Sequence, residues 1–236
     1  MADDLVSAAT LAALKTFDTP SVCNAIELVE PERRAYGFTT ATLHCVRPEL
    51  GAMVGYARTV AVRASRPATA DVEAVRATRL AYLDYVATGA KPSISVVHNL
   101  DHGEEGFGSF WGEVNSAIHS ALGCIGTVTN GSVRDIDALA PGFQVLAGSV
   151  GPSHGFVHVE QFGDTATIAG MVVRSGDLVH ADRHGAVVLP RGKADEVVEA
   201  AAKIARREAV VLKAARAKGA TLEAITRAMN ESAKVS

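Results

Sequence analysis

The sequence predicts an α/β protein, and three observations support this fold class. Two apolar segments rich in β-branched residues, at 56–62 and 93–98, are typical of buried strands. A segment of helical periodicity, 71–87, separates them. A further helix at 113–122 leads into another short apolar strand at 124–129. Because strands and helices alternate, we expect a sheet that is at least partly parallel.

The remaining elements follow from the same periodicities and from capping residues. Residues 5–17 have helical spacing, and Asp18 and Pro20 predict the start of a second helix that runs through Glu27. In the helix at 71–87, Arg79 interrupts an otherwise apolar face. The later part of the chain is predicted to be rich in strands and to end in two helices: strands at 143–147, 156–161, 166–174, 178–181 and 186–189, and helices at 193–218 and 222–229.

The composition excludes several classes of protein. The chain has 236 residues, 48% of them hydrophobic and 21% charged, and a net charge of -3, which offers no basic face for nucleic acid. No apolar run reaches the roughly 18 residues that a membrane span requires, and acidic residues stand where a signal peptide carries basic ones. We therefore expect a cytoplasmic protein with no nucleic-acid or membrane partner. Neither a GxGxxG after a strand nor a P-loop motif is present.

The segment 111–135, WGEVNSAIHSALGCIGTVTNGSVRD, carries the strongest functional signal. An arginine fork grips carboxylates, and an aspartate ligates hard metal ions, so the pair Arg134 and Asp135 suits a small anionic substrate beside a divalent cation. Asn130 and Gly131 predict a turn directly after the strand at 124–129. Arg134 and Asp135 are therefore expected just past the carboxyl end of that strand, where open α/β sheets bind ligands.

Other polar residues carry weaker signals. The loop 99–110 contains three glycines and three acidic residues, which fits either a mobile flap or a solvated loop. Cys23, Cys45 and Cys124 are more consistent with buried reduced thiols than with a catalytic or metal role. The histidines are more consistent with hydrogen bonding than with metal binding, although several lie near the predicted site edge or near each other: His98, His154, His158, His180 and His184.

Three segments resemble the RraA-like family, whose members include class II 4-hydroxy-4-methyl-2-oxoglutarate aldolases that also decarboxylate oxaloacetate. They are DTPSVCNAIE, the segment 111–135 and VVRSGDLVHADRHGAVVLP. Twenty residues separate Glu113 from the Arg-Asp pair, the same separation as that of the acidic residue in the aldolases. Two positions differ from the aldolases, which usually have aspartate where this chain has Glu113 and Asn130. Asp182 matches a family turn and is expected to tie a hairpin.

The resemblance implies a layered α/β/β/α sandwich of the swivelling type, forming a single domain over 1–236 with a helical extension from about 193. It also implies a homotrimer or hexamer and a bound Mg²⁺ or Mn²⁺. In this family the substrate carboxylate binds backbone N–H groups at a helix N-terminus, which correspond to those of Val114 and Asn115. Arg134 is expected to bind the substrate, and Asp135 the metal. Glu113 is expected to hold water on the metal.

The predicted activity is a metal-dependent lyase that cleaves a 4-hydroxy-2-oxo acid to pyruvate and decarboxylates oxaloacetate. One alternative is a non-catalytic RraA-type regulator of an RNA-degrading enzyme. Another is a lyase or hydratase for a different, sugar-derived oxo acid. Glu208 falls inside an apolar stripe of the helix at 193–218, which indicates either a salt bridge or, by the resemblance, a catalytic carboxylate that completes the site of an adjacent subunit.

Overall fold

The computed structural model of the chain describes residues 5–235 and confirms the predicted α/β class. Asp18 accepts a hydrogen bond from the Ser21 N–H at 2.9 Å and caps the second helix, as predicted. The described residues contain six α-helices: α1 Ala8–Leu14, α2 Thr19–Val29, α3 Val72–Thr88, α4 Glu113–Ala121, α5 Ala194–Ala215 and α6 Leu222–Ser232.

Thirteen strands within the same residues form a large sheet, a small sheet and a hairpin. The strands are β1 His44–Cys45, β2 Met53–Arg63, β3 Ser93–Asn99, β4 Ser109–Trp111, β5 Cys124–Thr129, β6 Ser132–Val133, β7 Gln144–Ala147, β8 Ser149–Val150, β9 His158–Phe162, β10 Ala166–Ile168, β11 Met171–Val173, β12 Leu178–Asp182 and β13 Gly185–Val188.

The large sheet has the order β1-β7-β5-β3-β2-β12-β13, and β9 also pairs with β2. Its centre is parallel, since β2, β3, β5 and β7 pair in parallel, and its outer pairs are antiparallel. Strands β4, β6 and β8 form a separate parallel sheet beside the carboxyl ends of the central strands. This small sheet holds the candidate site.

Alternate residues of β3 face two different buried layers. Ile94 and Val96 pack with the β10–β11 hairpin and the face of the large sheet that this hairpin covers. Val97 packs in a second cluster with residues of α3, β4 and β7, including Tyr82 and Trp111. A third cluster joins α1, α2 and α5 to β2, β12 and β13. These layers agree with the predicted layered α/β/β/α sandwich.

Several predicted boundaries were wrong. The first helix is shorter than 5–17, because the Ser7 side chain caps it by accepting from the Thr10 N–H at 3.0 Å. The strand predicted at 166–174 is a hairpin, since Ala169 and Gly170 both have positive φ angles (48° and 88°) and turn the chain between β10 and β11. Helix α5 ends at Ala215 and not at 218. Within residues 5–235, no helix has the length and apolar character needed to cross a membrane.

Candidate functional site

The N-terminus of α4 is the centre of the candidate site. Trp111, fully buried, ends β4 and pairs with Val133 of β6, so the chain enters α4 next to the point where β6 ends. Gly112 occupies the N-cap position and provides no side-chain hydrogen bond to the helix. An α-helix leaves its first N–H groups without helical partners. Those of α4 can therefore bind an anion from outside the helix.

Arg134 and Asp135 lie against this helix terminus. The Arg134 N–H donates to the Trp111 carbonyl at 2.9 Å, and the Asp135 Oδ2 atom accepts from the Glu113 N–H at 3.3 Å. A Cβ atom on Gly112 would stand 2.6 Å from Asp135 Oδ2, so only glycine permits this approach. Arg134 Nε is 3.7 Å from the same carboxylate oxygen. The structure thus brings five predicted site residues together: Glu113, Val114, Asn115, Arg134 and Asp135.

Asp135 adopts a left-handed backbone conformation, with φ 51° and ψ 41°. This conformation costs about 1–2 kcal/mol for a residue other than glycine, although aspartate tolerates it better than most. Strained backbone of this kind concentrates at functional sites. Here the conformation places the Asp135 carboxylate at the helix terminus.

A cleft of about 190 Å³ opens at this terminus. Val114 is exposed at its edge, and the Arg134 side chain is 36% exposed, so a solute can reach both. Arg79 and Arg134 both contribute a positive charge to its wall. The complete lining is Arg79, Ser109, Phe110, Gly112, Val114, Asn115, Arg134, His154 and Val157.

The Asp135 carboxylate, next to Arg134 beside this cleft, could hold a hard divalent cation. Mg²⁺ typically binds proteins through one or two carboxylates and retains several water ligands. The Asp135 carboxylate is 37% exposed, and its hydrogen bond and ion pair both involve Oδ2, which leaves Oδ1 for a metal. Glu113 is exposed, and its backbone N–H is hydrogen-bonded to Asp135. Within residues 5–235 of a single chain, no group of three or more histidine, cysteine, aspartate or glutamate side chains could hold a metal ion.

Asn130 fixes the turn that precedes Arg134. Its side-chain Oδ1 accepts from the Asn99 N–H at 2.8 Å, and its Nδ2 donates to the Asn99 carbonyl at 2.9 Å. These two bonds tie the carboxyl ends of β3 and β5 together. An ionised aspartate could only accept hydrogen bonds. The Asn99 partner therefore gives a physical reason for asparagine at the position where the aldolases usually have aspartate.

A series of hydrogen bonds between buried polar side chains supports α4. His119, fully buried, donates through Nδ1 to the Asn115 carbonyl at 2.7 Å, so its Nε2 accepts from the Tyr82 hydroxyl at 2.9 Å. The Tyr82 oxygen is in turn 2.9 Å from the Ser95 hydroxyl. This series links the first turns of α4 to α3 and β3. Burial lowers the pKa of His119 to about 4 and keeps the imidazole neutral.

We predict that His119 makes the protein less stable as the pH falls from about 6.5 to 4. In this window an unfolded histidine, with an ordinary pKa of 6.5, binds a proton that the folded protein excludes. The free energy of unfolding should therefore fall by about 3 kcal/mol in total, at 1.36 kcal/mol per pKa unit. Urea unfolding at pH 7 and pH 5, in the wild type and in His119→Gln, measures the part of this change that falls between those values, about 2 kcal/mol.

The His119→Gln variant should show a smaller loss between the two pH values, because glutamine does not titrate. Some pH dependence should remain, since burial also lowers the pKa of His180. An identical loss of stability in the wild type and in His119→Gln would remove His119 as its source.

Glu208 lies on α5 and does not line the cleft of its own chain. It is exposed, and among the described residues it forms no ion pair, so the salt-bridge interpretation finds no support within one chain. The predicted apolar stripe becomes more exposed along the helix: Val197 and Ala201 are buried, Ile204 and Val211 are half-buried, and Ala215 is exposed.

Asp182 ties the β12–β13 hairpin, as predicted. Its Oδ1 accepts from the His184 N–H at 2.8 Å, and its Oδ2 accepts from the Thr19 N–H at 3.0 Å, which also anchors α2. Burial opposes its ionisation, but these N–H donors outweigh that effect and lower the pKa of Asp182. His180 is buried beside Thr19, with 3.0 Å between Nδ1 and the hydroxyl oxygen.

The remaining histidines and the cysteines have structural surroundings. His158 Nε2 lies 2.9 Å from Glu160, whereas His154 bonds the Gly155 carbonyl in a loop, so the two do not form a pair. His98 is half-buried in a different cleft from Arg134. The three cysteines are free, and burial raises the pKa of each thiol, that of Cys23 to about 11. Only Cys124 is fully buried; Cys23 and Cys45 are half-buried.

Both ends of the loop 99–110 are held by the rest of the protein. The buried Asp101 carboxylate accepts from the Ser65 N–H at 3.0 Å and lies 3.5 Å from Arg63. The end of the loop forms β4. Strand β4 was not predicted, because a strand of three residues is too short to show periodicity.

Comparison with known proteins agrees with the fold and defines the family. The family model for RraA-like proteins, described as Aldolase/RraA, matches residues 19–188, and the chain therefore belongs to the RraA-like family. This family includes both aldolases and RraA proteins. The matched segment ends before α5, and the predicted single domain with a helical extension stays a prediction.

Individual relatives are distant. Protein DlpA of Legionella pneumophila is 30% identical over 118 residues, which cover 48% of this chain and 19% of DlpA, so the chain spans about a fifth of the length of this curated relative. An uncharacterized protein from Pseudomonas syringae superposes with a TM-score of 0.72 at 22% identity over 94% of each chain. RraAS2 from Streptomyces coelicolor, an unusual member of the RNase ES inhibitor RraA protein family, superposes at 0.65 with 20% identity over 87% of this chain and 97% of its own. At these identities the superpositions show the fold alone.

Proposed function

We propose that the protein is a divalent-metal-dependent carbon-carbon lyase that acts on 2-oxo acids, assembled as a homotrimer or hexamer. The observation that carries this proposal is the position of Arg134 and Asp135 against the open N-terminus of α4. The cleft there offers N–H donors and a guanidinium for a carboxylate. The accessible Asp135 carboxylate lies beside it, next to Arg134, and could bind a metal. These are the groups that binding of a 2-oxo acid requires.

Different residues at the cleft bind different parts of the substrate and the metal. The Val114 and Asn115 N–H groups, at the positive end of the helix dipole, bind the substrate carboxylate. Arg134 donates to the same end of the substrate and offsets the negative charge that develops on the ketone oxygen. Asp135 would hold Mg²⁺ or Mn²⁺. When bound, such an ion supplies Lewis acidity that draws electrons towards the ketone oxygen.

Aldol cleavage and decarboxylation then use the same site. In aldol cleavage a proton leaves the 4-hydroxyl group, the bond between carbons 3 and 4 breaks, and its electron pair moves to the enolate of pyruvate. Glu113 accepts this proton through water, as a general base. In oxaloacetate decarboxylation no hydroxyl proton is involved, and carbon dioxide leaves in place of the carbonyl fragment. Protonation of the enolate gives pyruvate in both reactions.

The alternative is a regulator that binds an RNA-degrading enzyme. The name of the Streptomyces coelicolor neighbour associates that protein with RNase inhibition, but its 20% identity extends to the fold alone. A protein that acts only by surface contact has no need of a strained aspartate and a glycine-dependent close approach at an open helix terminus. The arrangement around Gly112 thus favours the enzyme over the regulator.

A coupled assay tests the proposed function. Pyruvate released from oxaloacetate and from a panel of 4-hydroxy-2-oxo acids is reduced by lactate dehydrogenase, with Mg²⁺ or Mn²⁺ present. We expect saturable release from at least one substrate above the spontaneous rate. No release from any substrate at millimolar concentration would contradict the lyase and favour the regulator. Release from a sugar-derived oxo acid alone would identify the related lyase.

A further inference from the structure

Arg79 occupies an unusual position on α3. Three and seven residues later, Tyr82 and Val86 are fully buried, so Arg79 lies on the face of the helix that packs on the protein. A cation on an apolar face costs free energy unless it has a partner or an outlet to solvent. Arg79 is half-buried, and its guanidinium lines the cleft that Arg134 also lines. Arg79, which interrupts the apolar face, therefore adds a positive charge to the candidate site.

The contacts of Arg79 leave most of its donors for a ligand. Its Nη2 donates to the Asn115 Oδ1 atom at 2.7 Å. The Asn115 Nδ2 donates to the Phe110 carbonyl, which fixes the amide with its oxygen towards Arg79. Among residues 5–235, no carboxylate lies within ion-pair distance of Arg79. A guanidinium has five N–H donors, so a fixed, positively charged group remains open to an anion.

We propose that Arg79 is a specificity-determining residue that binds a second carboxylate of the substrate, on the fragment that leaves. This inference rests on the proposed function, in which Arg134 and the α4 N-terminus hold the 2-oxo acid end. Arg79 belongs to a different helix from those groups, and it reaches the cleft from the α3 side of Asn115. A dicarboxylate can present one anion to Arg79 and the other to Arg134 and the helix terminus.

Binding of two inert anions tests this proposal without requiring turnover. The probes are 2-oxobutanoate and 2-oxoglutarate, which differ by one carboxylate, and their affinities are measured by titration calorimetry in the presence of Mn²⁺. We expect the wild type to bind 2-oxoglutarate about 10- to 100-fold more tightly, the range typical of a hydrogen bond between charged groups. Arg79→Gln should lose this preference, and its affinity for 2-oxobutanoate should stay within about threefold of the wild type.

Two variants distinguish the effect of the Arg79 charge from the effect of its hydrogen bond to Asn115. Glutamine removes the charge but keeps an N–H donor for the Asn115 oxygen, whereas Arg79→Lys keeps the charge and should retain part of the preference. Arg76→Gln is the matched control, because Arg76 is exposed one turn earlier on the same helix and does not line the cleft. This control should retain the full preference.

Several outcomes would overturn the proposal. They are a wild type without preference, a preference that persists in Arg79→Gln, and an equal loss of affinity for both anions, which would assign Arg79 a positioning role through Asn115. A preference that depends on Arg79, found together with no pyruvate release from any panel substrate, would contradict the lyase but support the anion site. Pyruvate release by a wild type that shows no preference for 2-oxoglutarate would support the lyase but contradict the anion site.

Discussion

Arg134→Lys should lower kcat/KM for oxaloacetate by about 100-fold or more, although it preserves the charge. Arg134 lies at the cleft with its Nε 3.7 Å from Asp135, and the rest of its planar guanidinium can bind a carboxylate through two parallel hydrogen bonds. A lysine ammonium is a point charge on a flexible stem and cannot reproduce that geometry. If only the positive charge mattered, kcat/KM would change little. The size of its decrease therefore measures how much the planar guanidinium contributes.

The matched control is Arg227→Lys. Arg227 is exposed on α6 and pairs with Glu223 at 3.3 Å, so the same chemical change there should leave kcat/KM unchanged. Thermal unfolding of both variants excludes a loss through misfolding. Wild-type kcat and KM in Arg134→Lys would remove Arg134 from the substrate site.

The second large effect is expected from mixing two inactive variants. If Glu208 completes the site of an adjacent subunit, Glu208→Ala and Arg134→Ala should each be inactive alone. A mixed ring contains interfaces that bring wild-type Arg134 from one subunit together with wild-type Glu208 from its neighbour. Random mixing of equal amounts should restore about a quarter of wild-type turnover, because each interface needs one specific pair of subunits. The exposed position of Glu208 and the uncovered end of its stripe are consistent with such an interface.

A mixture of Arg134→Ala with Asp135→Ala is the control for this experiment. Both residues belong to the same subunit's half of the site, so every site in these rings lacks one of them and no activity should return. Mixed rings of the Glu208 and Arg134 variants, verified by native mass spectrometry but inactive, would contradict a shared site. Glu208 would then be a surface residue.

The longer elements were predictable because their patterns extend over many residues. Helix α4 and strand β5 were predicted within one residue of their ends, and α3 was shifted by only one residue. Strands of two or three residues, such as β4, β6 and β8, have too few positions to show alternation. The turn at Ala169 and Gly170 was missed because alanine rarely adopts a positive φ.

The site was only partly predictable. Arg134, Asp135 and the start of α4 are close in sequence around one strand, so chain order alone indicated their proximity. The sequence also showed that Arg79 interrupts an apolar face, but not what it faces, because that depends on the packing of α3 beside α4. The strain at Asp135 and the approach to Gly112 are properties of the folded backbone, and no residue pattern encodes them.

The dependence of pyruvate release on a divalent ion is the direct test of metal-dependent catalysis at this site. The wild-type protein is treated with EDTA, passed through a desalting column and assayed with oxaloacetate before and after Mn²⁺ or Mg²⁺ is added, with the metal-only rate subtracted. We predict that release stops on chelation and returns with the ion, because we propose that the Asp135 carboxylate binds it. Turnover that is equally fast with and without the ion would contradict a metal-dependent lyase.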